Sequence, residues 1–457
     1  MHAPIPHEAA SATAGTTPDI LDVLVIGGGP AGSTTATELA MRGRRVLVLE
    51  KSRHPRFHIG ESLLPASLPL FEHLGVADEV RAIGMRKGGA EFVSAADGRH
   101  QIFEFADSWD KSLDHAYQVR RSQFDEILIR NAARRGAQVI EGCRVDSVEF
   151  MPGDAGVRVH AQHEDGRRQQ WQARYLVDAS GRDTFLSKRF DAKRRNPHHN
   201  SAAIYAHFSG AVRNCDKREG NITIFWFEHG WFWFIPLADG ITSVGAVVWP
   251  HYLKSRDKPV EQFFADTLAM CPPLAERLAN AERVSPVEAT GNYTYSSTHS
   301  HGPRYLIAGD AYAFIDPVFS SGVMLAMNSG MEAASAIDRI LADPRAASAA
   351  LRRYDRVMRH GPKEFSWFIY RVTNPAMREL FLAPRNLLRM KEALLSLLAG
   401  DIFGRTPIWT SLRAFKAVYY AACLFNPRRS LQAMRTRAFN IRPADRDQPA
   451  AGAAAGG

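Results

Sequence analysis

A chain of 457 residues, 45% hydrophobic and 23% charged, is long enough for two cores or one large composite one. No apolar run reaches the ~18 residues of a membrane span, and the first residues show neither the basic start nor the apolar stretch of a secretory signal. The four cysteines, Cys143, Cys215, Cys271 and Cys423, form no C-x-x-C pair, which disfavours a disulfide scaffold or a metal site and fits a reduced, cytoplasmic protein.

Residues 1–19 read as a flexible tail. Asp22 to Ile26 then forms a short apolar run suited to a buried parallel strand. Gly27, Gly29 and Gly32 follow in G-x-G-x-x-G spacing, which allows a sharp turn, a close approach of pyrophosphate to the backbone, and tight packing of helix on strand. The helix after them offers free N–H groups and a positive dipole end to a phosphate. A second strand, VLVLE, closes the unit on Glu50, where an acid meets a ribose hydroxyl. A lone glycine triplet is weak, but the complete βαβ unit points to a dinucleotide.

Further along, 51–76 reads as a proline-containing loop followed by a helix. Residues 87–105 read as paired strands turning at Asp97-Gly98. The spacing of Phe124, Ile127, Leu128 and Ala132 predicts a helix that Gly136 terminates. Strands are expected over 144–178 and again over 201–249, the latter as a predominantly antiparallel sheet with an aromatic face. RYLIAGDA (304–311) reads as a buried strand, and GVMLAMNSGMEAASAIDRIL as a long helix. From about 349 to 440 the chain is helical, interrupted at Pro375, Pro384, Pro407 and Pro427, and 441–457 reads as low-complexity and disordered. The formal charge of +9 is concentrated in the last hundred residues, where an acidic partner, a membrane surface or simply a solvated helical face would account for it.

Two further strand-to-turn segments, YLVDASGRDT (175–184) and RYLIAGDAYAFIDPVFSSG (304–322), each set an acid and glycine after an apolar strand. With them the chain resembles the FAD-dependent monooxygenase superfamily over roughly residues 20–345. The resemblance implies an α/β chain: a glutathione-reductase-like Rossmann fold for FAD, an antiparallel-sheet substrate domain and a helical C-terminal region. It also implies that Gly27, Gly29, Gly32, Glu50, Arg121 and Asp310 contact one FAD. The expected division is a composite FAD-binding domain over 20–345, interleaved with a substrate-binding sheet near 54–115 and 186–290, then a helical region over 346–440.

Within that superfamily the string Trp231-Phe232-Trp233-Phe234-Ile235-Pro236 matches W-x-W-x-I-P, a motif of the flavin-dependent halogenases. On periodicity alone it is a strand with core aromatics. GESLLP (60–65) and Phe314, Pro317, Ser320 and Gly322, in F-x-x-P-x-x-S-x-G spacing, also resemble halogenase segments, and Lys87 stands in the register of that family's essential lysine. The resemblance implies halogenation of an electron-rich aromatic through a flavin hydroperoxide and hypohalous acid, with O2 and halide as co-substrates. Lys87 and Ser320 become the catalytic candidates. Trp231, Trp233, Pro236 and Phe319 become tunnel or substrate candidates, and Ser321 and Gly322 halide contacts. A buried lysine can hold hypohalous acid or capture it as a haloamine.

Tryptophan-type members carry a glutamate before the serine of the F-x-x-P segment, where this chain has Phe319; that points to a phenol or pyrrole, free or carrier-bound. No second glycine loop for NADPH is present, which implies a separate flavin reductase. A hydroxylating or epoxidising monooxygenase, or a reductase, on the same scaffold is the alternative, and a non-catalytic flavoprotein a more distant one.

Overall fold

The computed structural model describes residues 20–440 except 198 and 373; the tails expected over 1–19 and 441–457 lie outside the described residues. Two eight-stranded sheets organise the chain. At the centre of the first lie five parallel strands in the order Tyr305–Ile307, Arg168–Asp178, Leu21–Ile26, Val46–Glu50 and Gln138–Glu141. Val23, Leu24, Val25, Leu47 and Val48 are wholly buried, as strands covered on both faces require. An antiparallel meander, Cys143–Phe150, Val157–His163 and Arg168–Asp178, extends this sheet.

The helix Pro30–Met41 packs on the long helix Gly322–Ala342. Their approach is close because Gly330 carries no side chain: a Cβ there would lie 2.5 Å from the Ala31 carbonyl oxygen.

Between the strands Val46–Glu50 and Gln138–Glu141, and again between Arg168–Asp178 and Tyr305–Ile307, the chain leaves this sheet and builds the second. Its strands run in the order Glu282–Arg283, Ser201–Ser209, Ile241–Val248, Gly230–Pro236, Ile222–Phe227, Gly89–Ser94, His100–Glu104, and the eighth, Glu288–Tyr293, also pairs with Ser201–Ser209. Pairing is antiparallel except for Ile222–Phe227 against Gly89–Ser94. The expected single aromatic face is in fact two. Trp226, Trp231 and Trp233 point to one side with Ile222, Ile224 and Ile235, whereas Phe225, Phe227, Phe232 and Phe234 point to the other. Alternation along a strand sends successive side chains to opposite faces, and both faces here are covered. The helix Val260–Ala269 packs on the phenylalanine side, and Ala347–Ile369, Pro375–Leu382, Met390–Ala399 and Trp409–Phe425 cover the tryptophan side.

No described helix is long and apolar enough to cross a membrane. Cys143, Cys215, Cys271 and Cys423 are free thiols.

Candidate functional site

A cavity of about 440 Å³ runs from the glycine loop to the tryptophan side of the second sheet. At its first end, Gly27 has φ +99° and its α-carbon faces the Ala179 carbonyl oxygen, 2.4 Å from where a Cβ would sit. Gly32 is tighter, 1.9 Å from the Gly27 carbonyl oxygen by the same measure; it packs helix on strand and does not line the cavity. Gly29 does line it, and a Cβ there would meet nothing closer than the Arg56 guanidinium at 3.5 Å. Glu50 is buried on the cavity wall, where one carboxylate oxygen accepts from the Gly28 N–H at 2.7 Å and the other from Ser52 at 2.9 Å.

Arg121 enters from the start of the helix Arg121–Arg134. Its guanidinium donates twice to Asp125, at 2.8 and 3.0 Å, and once to the Ile59 carbonyl at 2.9 Å. Burial would raise the Asp125 pKa, but Arg121 beside it holds the carboxyl below its usual range. Asp310, at the end of the strand Tyr305–Ile307, is pushed up to about 6 by burial, with Arg121 and Arg182 opposing. No described residue donates a hydrogen bond to its carboxylate, so an acceptor faces the cavity unmatched. A backbone cradle open at Gly29, a helix N-terminus, and free acceptor capacity at Asp310 together fit FAD: phosphate at the loop, hydroxyls at the acids.

At the far end, Trp231, Trp233, Ser320 and Gly322 line the cavity. Ser320 has φ +56° and leads into the helix Gly322–Ala342, and a Cβ at Gly322 would meet nothing within 4 Å. Asp316 holds the turn before it: one oxygen accepts from Val318 N–H at 3.2 Å, the other from His199 and Ser201 at 2.9 and 2.8 Å. Trp233 donates its indole N–H to Ser243 at 3.1 Å and is thereby fixed in the wall.

Three expected residues stand off the cavity. Pro236 ends its strand away from it, Ser321 is fully buried with an unpartnered hydroxyl, and Phe319 packs among aromatics, its ring stacked on Phe381 at 6.3 Å.

Lys87 lies behind the wall, 1% exposed at the end of the short strand Met85–Lys87. Its ammonium donates to the Ser62 hydroxyl at 2.9 Å and the Leu63 carbonyl at 3.0 Å, 5.4 Å from the centre of the Phe105 ring. Among the described residues no carboxylate pairs with it, and burial alone pushes it down to about 7. Ser62 itself lines the cavity, so one hydroxyl separates this amine from the enclosed space. Glu61 beside it has one oxygen 2.9 Å from His207 Nε2 and the other buried without a partner.

The GESLLP segment stands out in the sequence, but the Ser62 contact with Lys87 and the Glu61–His207 pair do not. No local signal links residues 25 or 146 positions apart. Among the described residues no group of three His, Cys, Asp or Glu is placed to hold a metal ion.

The sequence model of the family described as the FAD binding domain matches residues 20–363. The 1H-pyrrole-2-carbonyl-[peptidyl-carrier protein] chlorinase of Pseudomonas fluorescens is 31% identical over 412 residues, covering 84% of this chain and 89% of that protein. The tryptophan 2-halogenase of Chondromyces crocatus is 35% identical over 345 residues, covering 74% of this chain and 65% of that longer protein. Among solved structures, the myxobacterial chondrochloren halogenase, described as a new variant of FAD-dependent halogenases, superposes with a TM-score of 0.74 at 35% identity, over 86% of this chain and 93% of that one.

Proposed function

The chain belongs to the FAD binding domain family and, within it, to the flavin-dependent halogenases, and from that premise we propose that it chlorinates or brominates an aromatic acyl group, a pyrrole or a phenol, carried as a thioester on a carrier protein. FAD supplies the activation of O2 that turns halide into hypohalous acid, and a separate flavin reductase supplies its electrons.

The observation that carries the reading is Lys87: a buried ammonium with no counter-ion among the described residues, hydrogen-bonded to Ser62, which lines the cavity. An amine whose pKa burial lowers to about 7 is partly neutral at physiological pH. It can therefore donate a hydrogen bond to hypohalous acid or take up the halogen as a nucleophile. Trp231 and Trp233 stand as bulky walls that keep a substrate ring from the flavin end of the cavity. Ser320 and Gly322 line the cavity at the start of a helix, which favours an anion such as halide, whereas Ser321 is buried behind them. Gly27, Gly29, Gly32, Glu50, Arg121 and Asp310 form or brace the other end, where FAD is held.

A pyrrole or phenol is supported over free tryptophan by Phe319, which places no acid beside Ser320. A carrier-bound ring is supported by the match to the pyrrole-carrier chlorinase, whose length requires it to run past residue 363 into the C-terminal helices. The arginines of those helices suit an acidic carrier surface. The protein acts in the cytoplasm alongside its reductase.

The test is direct. Purified protein with a flavin reductase, FAD, O2 and either halide is offered pyrrole-2-carboxyl and hydroxybenzoyl groups as free acids, small thioesters and carrier conjugates. A halide-dependent mass increase on the thioesters is expected. Oxygen insertion or hydride addition that ignores halide would establish the monooxygenase or reductase alternative instead.

A further inference from the structure

The last two described helices carry large apolar side chains outward. In the helix Pro427–Asn440 the face turned to the protein is Ser430, Ala433, Arg437 and Asn440, spaced as one side of a helix. The Ser430 hydroxyl donates back to the Cys423 carbonyl at 3.3 Å. Leu431, Met434 and Phe439 stand outward, 54%, 63% and 62% exposed. The helix before it, Trp409–Phe425, buries Leu412, Phe415 and Tyr419 but ends on Leu424 and Phe425, 79% and 85% exposed.

The same surface has one sign of charge. Residues 402–440 hold seven arginines and lysines and no acid. Arg413, Arg428 and Arg435 are exposed, and among the described residues no carboxylate pairs with them. Arg428, Leu431, Arg435 and Ala438 recur at helical spacings of three and four, so arginines flank the apolar side chains on one face. Apolar groups left in water forgo the stabilisation that burial gives, and a patch of them marks a contact surface.

Charge and shape select the occupant. A second copy would bring the same arginines against these and be repelled. Residues 441–457 include one large apolar side chain, Ile441, which is too little to cover five. An anionic surface remains. Leu424 and Phe425 project at the corner between the two helices, and at their exposure neither lies in a groove of the protein. A protein partner must offer a pocket for each projecting side chain, whereas a fluid acyl layer receives them where they stand. The arginines beside them can lay their stems along that layer with their heads among phosphates.

We propose that the outer face of the helices Trp409–Phe425 and Pro427–Asn440 binds the surface of an anionic phospholipid bilayer. Leu424, Phe425, Leu431, Met434 and Phe439 enter the acyl boundary, and Arg428, Arg429 and Arg435 meet the phosphates. The contact is peripheral, since neither helix is long and apolar enough to cross, and it needs apolar side chains and arginines together. A carrier protein can meet Arg352 and Arg356, both exposed on the helix Ala347–Ile369, so the bilayer contact goes beyond the halogenase reading without displacing it.

Flotation of the full chain, without flavin, halide or substrate, uses vesicles of phosphatidylcholine alone and of phosphatidylcholine with one quarter phosphatidylglycerol. Binding to the mixed vesicles only is expected, weakened by salt. Leu431→Ser combined with Met434→Ser is expected to weaken it roughly 10-fold, and Arg428→Gln, Arg429→Gln and Arg435→Gln together on the order of 100-fold. Both variants change exposed side chains and should keep the wild-type melting temperature and FAD affinity. No binding to the anionic vesicles overturns the proposal. Binding that the serine pair leaves unchanged also overturns it, because charge attraction alone then accounts for the contact. Self-association in place of vesicle binding, abolished by the serine pair in ultracentrifugation, assigns the face to a second copy and overturns it. Capture of an acidic carrier protein that the serine pair abolishes, with vesicles left unbound, assigns the face to that protein and does the same. An inactive enzyme that still floats loses the halogenase reading alone, and an active one that stays in the aqueous fraction loses the bilayer contact alone.

Discussion

The two ends of the central cavity are built in different ways. The loop end is backbone: Gly27, Gly29 and Gly32 act through the side chains they lack, and Glu50 is held by the N–H groups of Gly28 and Ser52. The tryptophan end is side chain. Ser62, Trp231 and Ser320 come from distant stretches and line one cavity, with Lys87 behind Ser62. A backbone site tolerates almost no added atom, whereas a side-chain site tolerates substitution structurally and changes its chemistry. That contrast orders the expected effects.

Gly32→Ala should be the most damaging change. Its methyl would fall 1.9 Å from a backbone oxygen and 3.1 Å from the carbon bearing it, and neither can move without displacing the loop. A loss of about 3 kcal/mol of stability and of measurable FAD binding is expected by thermal melting and flavin titration. Gly29→Ala, with 3.5 Å of clearance, should melt like the wild type and lose only flavin affinity. Equal behaviour of the two would break the contrast.

Lys87→Met tests the other end, where chemistry and stability should part. Loss of the amine is expected to reduce halogenation at least 100-fold, as removal of a positioned proton or electrophile carrier does, while flavin reoxidation continues. Stability should not fall. Lys87 titrates near 7 in the folded protein and near 10.4 in an unfolded chain, so between those values the unfolded state binds more protons. Wild-type stability should therefore rise with pH across that window, by up to about 1.4 kcal/mol per pH unit from this group. The Met variant should lack that slope in denaturant titrations at pH 7 and 9.

Asp310 gives a smaller effect of related origin. With its carboxyl raised to about 6 by burial, it is largely protonated at pH 5 and ionised at pH 7, and only the ionised form accepts from a hydroxyl through both oxygens. FAD affinity is expected to rise several-fold from pH 5 to 7, and Asp310→Asn to flatten that rise. A wild-type affinity that falls over this interval would remove Asp310 from the flavin site.

The same contrast explains what could be read in the sequence. The strand Leu21–Ile26, the glycine loop and the strand ending at Glu50 are one contiguous unit, and local spacing carries the reason for each residue. The first sheet and the long helix after Ser320 were legible for the same cause. Lys87 was not: spacing alone makes it a solvated turn residue, and only the halogenase register sets it apart. Its burial depends on Ser62 and Leu63, which the fold brings together through the strand at 116–118. The outward apolar side of the helix Pro427–Asn440 is not legible either, because spacing does not say which face a helix turns to the protein. The two-faced character of the second sheet escaped for a similar reason, since IFWF and WFWF are aromatic on both phases of the strand repeat.

Phe319 belongs at once to the turn before Ser320 and to the aromatic layer beside it. It closes the turn that Asp316 caps, yet its ring belongs to the aromatic layer, stacked on Phe381 and 4% exposed. As packing it resembles any core ring. Phe319→Leu removes one aromatic pair, about 1 kcal/mol, which in a chain of this size moves the melting temperature by roughly 2 °C. Flavin binding should be unchanged, because the residue does not line the cavity. If the layer also receives the substrate ring, KM for the aromatic thioester should rise several-fold while kcat on bound substrate stays near the wild-type value. An unchanged KM with the same small thermal shift would make Phe319 a packing residue only, and would place the substrate ring elsewhere on the tryptophan face.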